Sequence, residues 1–193
     1  MDMTLNQDAV AEIWRPVVLT FESACSFDNP FLDVEIWAEF TGSSGRVIRR
    51  EAYWDGGRTY CVSFAPTELG AWNYVIEAPE QTGLNGCTGR VEAVPYAGDL
   101  DLYRHGFIRV ADDSRMFAYS DGTPFFWLGD THWEFAYRES WDASNHPGMT
   151  SQFRGMVDLR AEQGFTVYQT NLRSDMGAGD RYWIDGGMAK GAE

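Results

Sequence analysis

The sequence predicts two folds in series: an antiparallel β-sandwich over residues about 12 to 97, then the opening of a parallel α/β fold from about residue 102. Three observations carry this. Apolar and polar residues alternate with period two in several short runs separated by Gly, Pro, Asn, Asp and Ser. No run of helical period interrupts the first half. After residue 102 the order becomes strand, loop, helix, Gly, strand, which is a βαβ unit.

Trp14 to Phe21 reads as a first strand, with Pro16 placing it at an edge or a start. Asp33 to Phe40 sets Val34, Ile36, Ala38 and Phe40 on one side and Asp33, Glu35 and Glu39 on the other. Such alternation marks a strand with one buried face. Residues 41–45, TGSSG, form a turn. Arg46 to Trp54 follows as one strand, and Asp55-Gly56-Gly57 turns again. Thr59 to Phe64 directs Tyr60, Val62 and Phe64 to one face; Ala71 to Glu77 does the same with Trp72, Tyr74 and Ile76. Arg90 to Val94 closes the series. The size suits an immunoglobulin-like sandwich, although the Cys-Trp-Cys spacing of antibody domains is missing.

Pro95 to Asp101 reads as a linker. Phe107 to Ala111 and Arg115 to Tyr119 bracket Asp112-Asp113-Ser114, a hairpin signal. In DGTPFFWLGDTHWEF, a turn feeds the apolar burst Phe125 to Leu128, which ends at Gly129-Asp130-Thr131-His132. That pattern predicts a buried strand whose C-terminal end offers polar side chains to a ligand. Thr150 or Ser151 can cap a helix running to about Gln163, with Phe153, Met156, Val157 and Ala161 along one stripe and Gly164 at its end. Phe165 to Leu172 reads as a second buried strand. Residues 173–193 are glycine-rich and aperiodic, a loop.

Composition narrows the function classes. Of 193 residues, 44% are hydrophobic, which is ample for a packed core. The net charge of −14 repels a phosphate backbone and an anionic membrane surface, so neither nucleic acid nor membrane is an expected partner. No apolar run is long enough to cross a bilayer. The acidic N-terminus lacks the apolar core of a secretory signal, so a cytoplasmic location is the default expectation. Eight Trp, nine Tyr and twelve Phe are either core residues or ring platforms for flat ligands such as sugars. The three cysteines, Cys25, Cys61 and Cys87, form no metal-binding pattern; reduced thiols are expected, with a Cys25–Cys87 bridge as the alternative. No P-loop, dinucleotide fingerprint or Ser-His-Asp arrangement is evident, and no cofactor or metal is expected; GAGD at Gly177 to Asp180 lacks the strand-to-helix context of a phosphate loop.

Candidate site residues fall at the ends of the two α/β strands. Asp130, His132 and Trp133 follow the first, where carboxylates suit sugar hydroxyls and an indole can stack on a sugar face. Thr131 and Glu134 have the spacing of a capping box, and Asp130 could be a turn residue. Asn171, Arg173 and Asp175 follow the second strand, although Arg173 and Asp175 could simply pair. Gln169, a polar residue inside a strand expected to be buried, needs a partner. His146 reads as an exposed loop residue and His105 as part of the domain junction.

At DGTPFFWLGDTHWEF, SQFRGMVDLRAEQGF and TVYQTNL the sequence resembles apiosidase-like glycoside hydrolases. NPFLDVEIWAEFTG, YWDGG and FAPTELGAWNYVIEAP resemble the immunoglobulin-like domain that commonly precedes them. The resemblance implies a (β/α)8 TIM barrel that cleaves glycosidic bonds in plant-type or related glycans. A barrel takes about 250 residues, whereas roughly 80 follow the linker here. Two carboxylates normally flank the scissile bond, and the resemblance implies that both lie on later strands. It therefore implies substrate-binding roles for Asp130, His132, Trp133, Asn171 and Arg173 and a catalytic role for none. The expectation is a truncated N-terminal glycosidase fragment, inactive alone, that self-associates through exposed barrel strands. The alternative is a non-catalytic carbohydrate-binding or protein-interaction sandwich.

Overall fold

The computed structural model describes residues 7–112, 115–132, 147–148 and 151–170. The chain divides into two compact units: Met1–Val110 with Ala118–Thr123, and Ala111–Phe117 with Pro124–Glu193.

The first unit is a β-sandwich. Its strands are β1 (Gln7–Glu12), β2 (Val17–Glu22), β3 (Trp37–Thr41), β4 (Val47–Glu51), β5 (Tyr53–Trp54), β6 (Thr59–Phe64), β7 (Gly70–Glu77) and β8 (Thr88–Val94). Five form one sheet in the order β1-β8-β7-β3-β4, and three form the other in the order β2-β6-β5. The alternating residues do what their spacing predicts. Ile36, Ala38 and Phe40, then Tyr60, Val62 and Phe64, then Trp72, Tyr74 and Ile76 are all buried in one core. Rings tie the sheets together. Phe40 of β3 stacks on Phe64 of β6 at 3.8 Å and 3° between planes. Phe64 meets Trp72 edge-on at 5.2 Å, and Phe21 meets Tyr74 at 6.1 Å. The buried indole of Trp72 satisfies its N–H by donating to the Glu68 carbonyl at 3.0 Å. These rings are core, not ligand platforms. Cys25, Cys61 and Cys87 are all free thiols.

The strand expected over Trp14 to Phe21 starts later: residues 13–15 form a turn, and β2 runs from Val17 to Glu22. Trp14 has φ 66°, which breaks extended backbone, and its N–H donates to Pro66 O at 2.8 Å. Pro16 does stand immediately before β2. The preceding strand β1 pairs in parallel with β8, so the sheet takes in residues before the expected start near residue 12. Its hydrophobic pattern is inverted for recognition: the small Ala11 is buried while Val10 is 67% exposed. The single strand expected over Arg46 to Trp54 is also two. β4 pairs with β3 in one sheet, and β5 pairs with β6 in the other. Ala52, between them, donates to Ile36 O at 2.8 Å as the chain changes sheets.

A one-turn helix α1 (Asp101–His105) follows the sandwich, and Gly106 ends it with φ 86°. A Cβ there would lie 2.8 Å from both Ser120 Cβ and Trp14 Cε2, so only glycine fits. His105 Nδ1 lies 2.7 Å from Asp121 Oδ2. Three short strands come next in the chain: β9 (Arg109–Val110), β10 (Phe117–Ala118) and β11 (Pro124–Phe125).

In the second unit, Ala111 N donates to Met116 O at 2.8 Å across the expected hairpin turn. Strand β12 (Gly129–His132), helix α2 (Gln152–Glu162) and strand β13 (Val167–Thr170) complete the described unit, with β12 and β13 parallel. Ser151 caps α2, accepting from Arg154 N at 2.9 Å, and Gly164 at φ 81° follows the helix end. The first α/β strand differs from expectation in position. It lies on GDTH, not on the apolar burst before it; Phe125 is buried, but Phe126 and Trp127 are 74% and 52% exposed. Neither β12 nor β13 holds a buried residue, and Gln169 is exposed, so these strands are not the buried pair that their flanking apolar residues suggest. Among the described residues this sheet has two strands. Among the described residues no helix is long and apolar enough to cross a membrane.

Candidate functional site

The site region is built from β12, α2 and β13. Backbone amides first fix the strands. Thr166 N and Val167 N both donate to Leu128 O, at 3.0 and 3.1 Å. Thr166 Oγ1 donates to Phe126 O at 2.6 Å and accepts from Leu128 N at 3.0 Å. This clasp sets the register, in which Gly129, Asp130, Thr131 and His132 pair with Val167, Tyr168, Gln169 and Thr170. Side chains alternate along each strand, so Asp130, His132, Tyr168 and Thr170 share one face and Gly129, Thr131, Val167 and Gln169 share the other.

Helix α2 lies on the first of these faces. Arg160 Nε donates to Asp130 Oδ2 at 2.5 Å, with both side chains about three-quarters covered. Phe153 meets the Tyr168 ring edge-on at 5.9 Å. Tyr168 in turn meets the His132 ring at 5.9 Å, and its hydroxyl hydrogen-bonds His132 Nδ1. Arg160 is further fixed by donating to Gln163 Oε1 at 2.7 Å and by lying 5.1 Å above the Phe165 ring.

Asp130 is thus an occupied group. Arg160 holds one oxygen, and Thr131 N donates to the other at 2.8 Å. The Arg160 hydrogen bond, followed by that amide, holds the Asp130 carboxyl below the usual carboxylate range. A carboxylate kept ionised in this way is an acceptor, not a proton donor, and is a poor general acid. Arg160 and Tyr168, the partners of the two predicted site residues, carry no sequence signal of their own. Asp130 and Arg160 are 30 residues apart, and only the strand register and helix docking bring them together.

The structure therefore places Asp130 and His132 together on the helix side of the sheet, with Thr131 and Gln169 side by side on the other. Trp133, Asn171 and Arg173 lie outside the described residues, as do Glu134, His146 and Asp175. His105 pairs with Asp121 in the first unit.

Both the β-sandwich and the parallel β-α-β unit have counterparts among known proteins. Residues 10–79 match the model of a domain of unknown function, DUF5060, and residues 111–189 match that of the apiosidase-like catalytic domain. The chain is thus similar to the apiosidase-like catalytic domain over residues 111–189, with a DUF5060-like domain before it. Its fold is similar to that of a solved candidate glycoside hydrolase from Bacteroides vulgatus, with a TM-score of 0.63 and 24% identity. The match covers 85% of this chain and 28% of that one. No curated protein matches the chain.

Proposed function

We propose that the chain is the N-terminal part of a glycoside hydrolase acting on plant-type or related glycans, and that its catalytic carboxylates are supplied by further barrel strands. The observation that carries this is the parallel β12–α2–β13 unit inside the region matching the apiosidase-like catalytic domain. Within β12 and β13 the only carboxylate is Asp130, and Arg160 occupies it. A glycosidase needs an acid and a second carboxylate across the bond. Trp133, Asn171 and Arg173 are the proposed pocket residues. The purified chain should release no aryl alcohol from aryl glycosides above the buffer rate. Steady turnover by this chain alone would overturn the proposal. The open edges of β12 and β13, with Phe126 and Trp127 exposed, favour self-association. A monomer by light scattering at all concentrations would count against that part.

A second reading, a carbohydrate-binding sandwich, rests on one observation. Phe31 and Leu32 are 73% and 81% exposed, on a loop that Asn29 holds by accepting from Phe31 N at 3.1 Å. The Phe31 ring meets Trp54 at 5.3 Å, which makes a small aromatic surface on the sandwich. Loss of glycan binding on Phe31→Ala, measured by calorimetry, would locate the ligand there.

A further inference from the structure

We propose that Thr131 and Gln169 are the sugar-contacting pair of the β12–β13 sheet and that they select a neutral sugar residue; the inference rests on the glycosidase reading above. Their register pairing sets them on adjacent strands, about 4.8 Å apart. They project from the face opposite Asp130 and Tyr168. Helix α2 holds that other face through the Asp130–Arg160 and Phe153–Tyr168 contacts. In parallel α/β barrels the helices lie outside, side chains on the opposite face of the strands point inward, and the C-terminal strand ends meet the ligand. Thr131 and Gln169 are each the third of four strand residues, towards that end.

Their chemistry fits a sugar. Both are exposed, and among the described residues neither side chain makes a hydrogen bond. A hydroxyl and a carboxamide each offer a donor and an acceptor, which matches a sugar hydroxyl that is both. Neither carries charge, and the chain's net charge of −14 disfavours an acidic sugar. Trp127 lies beside the N-terminal end of the same face. A Cβ on Gly129 would lie 3.3 Å from Trp127 Nε1 and 3.6 Å from Val167 Cβ.

The test is calorimetric titration of the full chain with xylohexaose, arabinohexaose and trigalacturonate. A neutral oligosaccharide should bind and trigalacturonate should not. Thr131→Val and Gln169→Ala should each weaken binding about two- to tenfold, the effect of one lost hydrogen bond. Val10→Thr, on the exposed edge of the sandwich, should keep the affinity within about twofold. Circular dichroism checks that each variant folds, and Gln169→Asn, which shortens the reach of the amide, replaces Gln169→Ala if that variant does not. If a neutral sugar binds and both variants match the parent, the inference falls and the glycosidase reading stands. If only trigalacturonate binds, the neutral-sugar assignment falls. If no oligosaccharide binds, the inference falls, while the glycosidase reading is tested separately by the turnover assay.

Discussion

The guanidinium of Arg160, on helix α2, donates through Nε to Oδ2 of Asp130 on strand β12 at 2.5 Å and fastens the helix to the sheet. Breaking this pair should loosen the second unit specifically. Arg160→Gln should speed hydrogen exchange at the Thr131 amide and its β12 neighbours, and leave the sandwich strands protected as before. An NMR titration should show the Asp130 carboxyl returning upward towards the ordinary carboxylate range. An unchanged titration would show that the pair does not persist in solution.

Asp121 gives a pH prediction. Its pKa is lowered from 3.8 to about 2, first by the Thr123 amide and then by His105. The folded value lies below the unfolded one, so the fold favours the ionised form. The resulting stabilisation is present above the ordinary value of 3.8 and is lost as pH falls through about 2. Denaturant midpoints measured across that range should decline less steeply in Asp121→Asn than in the parent.

Ser151 caps α2 from a fully buried position, with Arg154 N donating to its hydroxyl. Ser151→Ala should cost about 1 kcal/mol, and Ser151→Asp should retain most of the cap. Urea denaturation followed by the helical signal at 222 nm measures both.

Phe40 is fully buried and stacked face to face on Phe64. Phe40→Ala should cost about 3 to 5 kcal/mol, because it removes apolar contact and leaves a cavity between the two sheets. Tryptophan fluorescence during urea unfolding reads this well, since Trp72 lies beside the same pair at 5.2 Å from Phe64.

Much of the sandwich was legible because its alternation is strong. Tyr60, Val62 and Phe64, or Trp72, Tyr74 and Ile76, can be buried together only in a strand, and they are. Where the pattern is weak, the reading slipped. In β1 the larger apolar residue points outward, and between β4 and β5 one residue carries the chain from sheet to sheet. The burst Phe125 to Leu128 looked like the strand because hydrophobicity was the only local signal. The Thr166 clasp on Phe126 and Leu128 instead starts the parallel pairing at Gly129.

The sequence by itself determined the order of the two folds, the helix cap at Ser151 and the families its two halves resemble. All three depend on residues close together in the chain. Tertiary structure decided which side of the α/β strands faces α2. A polar residue at a strand end can point either way, and a one-residue change of register reverses every side chain. The partners that settle it, Arg160 for Asp130 and Tyr168 for His132, lie 30 and 36 residues away.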